Sequence, residues 1–453
     1  MEFQKTNRAA YLNFLRAKYA MLTGEVLVPS YPYYMGIDPT SICQLRCPSC
    51  PTGVENESRR SGPRLHLRNR TMMASDLLHS LLDELGEYLF FVMFYNWGEP
   101  LLNRALPSFI RRAKEHGIVT EVHTNLSLRL SDQYLEDLLT SGLDTLAASV
   151  DGFSQETYQI YRRGGNLALV RANLERLAAL RQKLGLTTEI VWNILVFSFN
   201  EHELAETERY CRDLGITFNR REAFIGNPEW LPSYRKHEAT PPPPAADPPA
   251  APAPRTPAPC AWHYSYSFVN ADGAVSPCCL PWDQAEDFGT VKPHTVSFAD
   301  VWNNNLYRKS RGVFAGKDVR GLEKIETICT RCPWGPDIQH MYSHLDVRVL
   351  GQFQRLYAGK DPLLERAFDL LASPASFVDF YERHAYRLGS DAPRPDDAAL
   401  VPRPPAGPAG AGPHPGYWRF KDRLKPYTGT LWYRYPRIYR WGKALEAKLI
   451  GRR

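Results

Sequence analysis

The chain has no run of about 18 uncharged apolar residues, so no membrane-spanning helix is expected. Its first twenty residues, MEFQKTNRAAYLNFLRAKYA, are broken by charge and lack the apolar core of an export signal. Together these absences lead to the expectation of a cytoplasmic protein. No internal repeat is visible. Cysteine is scarce and odd in number: nine in 453 residues, eight of them clustered. The CxxxCxxC and CxxC spacings suit metal better than disulfides, and a reducing compartment keeps such thiols available. Cys211, alone in the helical run LAETERYCRDLG, reads as a buried structural cysteine.

Proline, at 37 residues, is plentiful and uneven, and it marks the joints. Prolines exclude helix and interior strand from the segment around ATPPPPAADPPAAPAPRTPAP, which reads as a stiff linker. The expected organisation is an N-terminal helical extension (1–30), a core (31–235), the linker (236–259) and a cysteine-rich unit (260–340). A helical extension (341–391), a second Pro/Gly/Ala linker (392–416) and a tail (417–453) follow. Within the core, short apolar runs alternate with amphipathic ones. YYMGID, FFVMFYNW, TEVHTN, LDTLAASV, EIVWNILVF and ITFNRREAF read as strands, and the segments between them as helices ending on Gly117, Gly142, Gly185 and Gly215. Repeated βα units predict an α/β fold with a parallel sheet, whose sites gather at the C-terminal strand ends.

Cys43, Cys47 and Cys50 lie in TSICQLRCPSCP, directly after the first strand. Three thiolates on one loop can hold three corners of a [4Fe–4S] cubane and leave one iron open. Zinc in a structural site would want a fourth protein ligand, and the nearest candidate, His66, sits in a polar, basic stretch. Zinc and simple packing remain the alternatives on spacing alone.

The CxxxCxxC motif after the first strand of a βα-repeat domain resembles the radical S-adenosylmethionine (SAM) superfamily. The resemblance implies a partial (β/α)6 barrel in which SAM chelates the open iron and is cleaved reductively to a 5′-deoxyadenosyl radical. Further segments match in order. Trp97-Gly98-Glu99-Pro100 resembles the family's GGEP motif, Thr124-Asn125 its Thr-Asn-Gly turn, and Ser149-Val150-Asp151-Gly152 its SxDG element. By that resemblance Gly98, Glu99, Pro100, Asn125, Ser149, Asp151 and Arg162 (or its neighbour Arg163) contact SAM, and Asn193 reaches the adenine. The expected partner of the SAM ammonium is the Glu99 carboxylate. Ser49 departs from the pattern, because many members carry an aromatic residue there. Asn200 and Glu203 read as a helix cap and a first-turn acid.

After the linker come Cys260, then Cys278 and Cys279 behind a hairpin turning at Asp272-Gly273, then Cys329 and Cys332. Four such thiolates could bind zinc or ligate a second cubane fully. The spacing, followed by Gly-Thr-Val and an aromatic Val-Trp-Asn helix, resembles the SPASM/Twitch extension of radical SAM enzymes. The resemblance implies an auxiliary [4Fe–4S] cluster on Cys260, Cys278, Cys329 and Cys332, with Cys279 as the alternative to Cys278.

The tail from Tyr417 carries eleven Lys/Arg against two acids, with nine aromatics interleaved. It reads as a segment packed on the body or as a dock on an anionic membrane surface; nucleic acid is not the expected partner. The expected activity is a radical SAM oxidation of a polar small molecule such as a sugar or cyclitol, reduced by flavodoxin or ferredoxin. Glu222, at the last strand end, is the candidate proton acceptor. Epimerisation, maturation of a ribosomal peptide, and a non-enzymatic zinc-stabilised docking protein are the rivals.

Overall fold

The computed structural model describes residue 3 and residues 5–61, 65–222, 227–238, 258–332 and 343–388. Most of the linker expected at 236–259, the second linker and the basic tail lie outside the described residues. Among the described residues no helix is long and apolar enough to cross a membrane.

Six strands carry the core: β1 (Tyr34–Ile37), β2 (Phe91–Phe94), β3 (Val119–Thr124), β4 (Thr145–Ser149), β5 (Glu189–Val196) and β6 (Thr217–Glu222). Each pairs in parallel with the next. Parallel neighbours require a crossover, and helices supply every one, including Ser75–Leu85, Leu106–Glu115, Asp132–Thr140, Leu167–Lys183 and Leu204–Asp213. Gly117, Gly142, Gly185 and Gly215 follow these helices with φ of 66°, 88°, 63° and 68°. The core is thus the α/β partial (β/α)6 arrangement expected. One helix, Pro51–Ser61, was not anticipated, because its sequence, PTGVENESRRS, has no apolar period.

The strand pleat divides the residues cleanly. One face carries Ile37, Phe94, Val122, Leu146, Ile190, Trp192 and Ile194, all buried. It faces the helices: the Trp192 ring meets Tyr210 of helix Leu204–Asp213 at 5.8 Å. The opposite, inner face carries Gly36, Met93, Glu121, His123, Ala147, Asn193 and Asn219, aligned by register across the strands.

The cysteine-rich segment continues the same sheet. Strand β7 (Tyr266–Val269) pairs in parallel with β1, and β8 (Val275–Ser276) pairs antiparallel with β7. Gly273, at φ 85°, makes the turn between them. Helix Ser343–Tyr357 meets β1 from another side, where Tyr34 donates its hydroxyl to Asp346 at 3.1 Å. Lys18 pairs with the same carboxylate.

Candidate active site

The loop after β1 is held in place from three directions. The amide of Glu99 donates to the carbonyl of Ile42 at 2.8 Å, and a Cβ on Gly98 would lie 1.6 Å from the Thr40 carbonyl oxygen. Asn56 of helix Pro51–Ser61 donates to the carbonyls of Cys43 (2.9 Å) and Leu45 (2.8 Å). Gly53 of that helix lies flat on the loop, since a Cβ there would be 2.2 Å from the Cys47 carbonyl oxygen. At the end of β3, Asn125 accepts from Gln44 at 2.9 Å and donates towards the Cys43 sulfur at 3.7 Å.

These restraints bring Cys43, Cys47 and Cys50 together. Burial pushes all three thiols up, Cys47 to about 11; Cys43 also feels the charge of Cys47 and Cys50, and Cys47 that of Cys50. A metal reverses that preference by deprotonating the thiols it binds. Among the described residues no three His, Cys, Asp or Glu groups converge on one ion-sized point. The thiols are instead grouped over the wider span of electrostatic coupling. An all-thiol, water-poor donor set on one clamped loop fits an iron–sulfur cluster.

The GEP segment sits where the sequence places it, but its carboxylate turns inward. Glu99 is 1% exposed and accepts from the Thr124 hydroxyl (2.5 Å), the Asn125 amide (2.7 Å) and the Leu101 amide (3.1 Å). Burial raises it to about 7 against those three bonds. Glu99 therefore ties the end of β2 to that of β3. Pro100 opens the short 3₁₀ turn that follows. Asp38, which the sequence reading did not single out, lies just beyond β1. Its carboxyl is fully buried and is raised to about 7 by burial, and among the described residues Oδ2 has no hydrogen-bond partner. The only sequence signal for it is an acid ending an apolar strand.

Asp151 is likewise fully buried, accepting from the Leu195 amide at 2.7 Å and from Arg162 Nε at 2.6 Å. It anchors Arg162, whose positive charge acts on Cys47 and whose neighbour Arg163 is exposed. Ser149, Asn193 and Asn219 form a polar row across β4, β5 and β6, with Asn219 donating to Asn193. Two expectations are corrected. Asn200 stands at the cap position but makes no capping bond; it donates to the carbonyls of Leu195 (2.8 Å) and Asp151 (3.1 Å), while Glu203 is the first-turn acid expected and also accepts from the Phe153 and Ser154 amides. Glu222 is exposed and pairs with Val196, so the pleat turns it away from the Asn193–Asn219 face; Arg221 takes the inner position on that strand.

The second cysteine set also assembles. Cys260 feels the charge of Cys332, Cys329 that of Cys260 and Cys332, and Cys278 that of Cys279, Cys329 and Cys260, while Cys279 also acts on Tyr95 inside the sheet, so Cys278 and Cys279 both stay beside the set. Burial raises the Cys260 thiol to about 12. His263, held neutral by burial and by Arg311, contacts the Cys329 sulfur through Nε2 at 3.3 Å. Arg68 joins the two halves. It donates to Asp287 at 2.7 and 3.0 Å and to the Pro281 carbonyl at 2.9 Å, beside Cys278 and Cys279. Asp287 accepts from Ser276, Ser276 from Asn270 (2.8 Å), and Asn270 from Asn96 (2.9 Å) in the turn before Trp97. Both ions are buried, with side-chain exposures of 8% and 4%. Arg68→Met is expected to lose about 3–5 kcal/mol of stability, because it strands a buried carboxylate. Adding Asp287→Asn should recover most of that loss; chemical unfolding of wild type and the two variants measures both effects.

Residues 37–211 match the radical SAM superfamily, and residues 260–333 match the SPASM iron–sulfur cluster-binding domain. The chain is 26% identical over 190 residues to a probable GTP 3′,8-cyclase of Methanococcus maripaludis strain C5, covering 42% of this chain and 58% of that one. It is 26% identical over 178 residues to the PqqA peptide cyclase of Granulibacter bethesdensis, covering 39% and 43%. The solved structure of Streptococcus suis SuiB bound to S-adenosylmethionine is 15% identical, with a TM-score of 0.45 over 64% of this chain and 70% of that one. The chain thus spans about half the length of the curated relatives named here. With its clamped CxxxCxxC loop and grouped second thiol set, the chain belongs to the radical SAM superfamily, carries a SPASM domain, and takes SAM and [4Fe–4S] clusters as cofactors.

Proposed function

We propose that the protein oxidises a polar small molecule at a carbon bearing a hydroxyl group. What supports this reading is the second thiol set, in which Cys260, Cys278, Cys329 and Cys332 would fill all four corners of a cubane and leave none for substrate. When loaded, the first centre supplies a radical that removes a hydrogen atom from carbon, and the second supplies one-electron redox chemistry. The chain's own residues do the rest. Arg162 and Asn125 fix the cysteine loop, Glu99 locks two strand ends, and the Ser149–Asn193–Asn219 row offers polar contacts on the inner face. Arg68 and Asp287 hold the two cysteine regions in register. Loss of a hydrogen atom from carbon, a proton from oxygen and one electron converts a carbinol to a carbonyl.

The test is anaerobic turnover with dithionite and SAM in deuterated water, on a panel that includes myo-inositol and glucose 6-phosphate. Oxidation predicts one 5′-deoxyadenosine per carbonyl formed and no deuterium on the product carbon. Deuterium fixed at that carbon with no carbonyl would mean epimerisation and would sink the proposal. The similarity to a peptide cyclase favours a second reading, maturation of a peptide. Under that reading a precursor peptide would be altered and the panel would not.

A further inference from the structure

The inner face carries charge where packing alone would call for apolar side chains. Glu121 and His123, two apart on β3, share that face, and His123 Nε2 contacts the Glu121 carboxylate. The His123 imidazole stacks on the Tyr95 ring, with centroids 4.5 Å apart and planes 20° apart. Burial would raise the Glu121 carboxyl, but His123, Arg221 and Arg348 together hold it below the usual range. Arg221 reaches both Glu121 and Tyr95 electrostatically, yet among the described residues it has no ion pair or hydrogen bond. The Arg221 guanidinium thus stands beside a carboxylate that His123 already contacts. Burying such groups is costly unless something pairs with them.

The group lies next to the proposed site of chemistry. His123 directly precedes Thr124 and Asn125, which bond Glu99 and the cysteine loop. Arg221 sits two residues beyond Asn219, on the face of the Asn193–Asn219 row. None of the comparisons or family motifs assigns these four side chains.

We propose that Tyr95, Glu121, His123 and Arg221 form the substrate pocket, and that it takes a small hydroxylated molecule bearing a phosphate or carboxylate group. This rests on the oxidation reading above. Arg221, which has no ion pair among the described residues, pairs with the anion. His123 Nδ1, which carries no hydrogen bond among the described residues, faces the substrate hydroxyl. As the neighbouring carbon loses its hydrogen atom the hydroxyl becomes acidic. The O–H bond then breaks, an N–H bond forms at Nδ1, and Glu121 balances the resulting imidazolium. The Tyr95 ring fixes the plane of the imidazole.

The experiment is calorimetric titration of glucose 6-phosphate, gluconate, inorganic phosphate and glucose into anaerobically reconstituted holoenzyme with SAM present. Wild type, Arg221→Gln and His123→Phe are compared. Wild type should bind glucose 6-phosphate or gluconate more tightly than glucose. Arg221→Gln should weaken every anion roughly tenfold to a hundredfold, the range of a charged hydrogen bond. His123→Phe should weaken the hydroxylated anions about tenfold while changing phosphate less than about twofold. No anion binding to wild type, or unchanged binding in Arg221→Gln, would overturn the pocket. SAM cleavage by dithionite, followed in the same samples, separates the two failures. If cleavage persists without anion binding only the pocket falls, whereas loss of cleavage in wild type would undo the oxidation reading itself.

Discussion

Gly98→Ala should leave a protein that neither binds SAM nor holds its first iron–sulfur cluster after reconstitution. A Cβ at this position would lie 1.6 Å from the Thr40 carbonyl oxygen and 2.5 Å from its carbon. Both are backbone atoms, so no rotamer can relieve the contact. The turn must back away from the cysteine loop, and with it goes the Glu99 amide bond to Ile42. A forced shift of this kind typically costs about 1–3 kcal/mol and sometimes more. Its functional cost is larger, because the displaced loop carries all three thiols. Iron content and thermal unfolding of the variant check this. A variant with full iron and an unchanged midpoint would mean that the turn is not the clamp described here.

Arg162→Met should be nearly as damaging, for a different reason. Asp151 is fully buried and takes its second bond from Arg162 Nε at 2.6 Å. Removing the cation strands that carboxylate, at an expected cost of about 3–5 kcal/mol. The double variant Arg162→Met/Asp151→Asn should regain most of the stability, since an amide is far cheaper to bury than a charge. It should not regain SAM cleavage, because the guanidinium charge beside Cys47 is still missing. Denaturant unfolding and 5′-deoxyadenosine assays on the three proteins separate the two roles. Equal instability of the single and double variants would show that Arg162 acts by packing alone.

Much of this arrangement was legible in the sequence because it is local. The cysteine spacings, the GEP, SVDG and YRRGG segments and the βα alternation each lie within a short stretch, and strand-end chemistry follows from them. What the sequence hid is set by distant pairings. The docking of β7 beside β1 joins segments separated by the whole core, and the Arg68–Asp287 pair depends on that docking. Glu222 was misread through pleat parity: a one-residue step along β6 exchanges the inner and outer faces, so Arg221 faces inward instead. Asn200 looked like a cap because it precedes a helix, yet its amide donates to the carbonyls of Leu195 in β5 and of Asp151 beyond β4. Gly53 carried no pattern at all, and Asp38 only that of an acid ending an apolar strand. Their importance comes from what packs on them.

The central claim is that two separate thiol sets hold two clusters and that only the first cleaves SAM. Iron and acid-labile sulfide per chain after anaerobic reconstitution, in wild type and in Cys43/Cys47/Cys50→Ala, test it most directly when SAM cleavage is followed in both. Two cubanes at four irons each predict about eight irons falling to about four, with 5′-deoxyadenosine made only by wild type. About four irons in wild type, all lost in the triple variant, would contradict it and leave the second thiol set without a cluster.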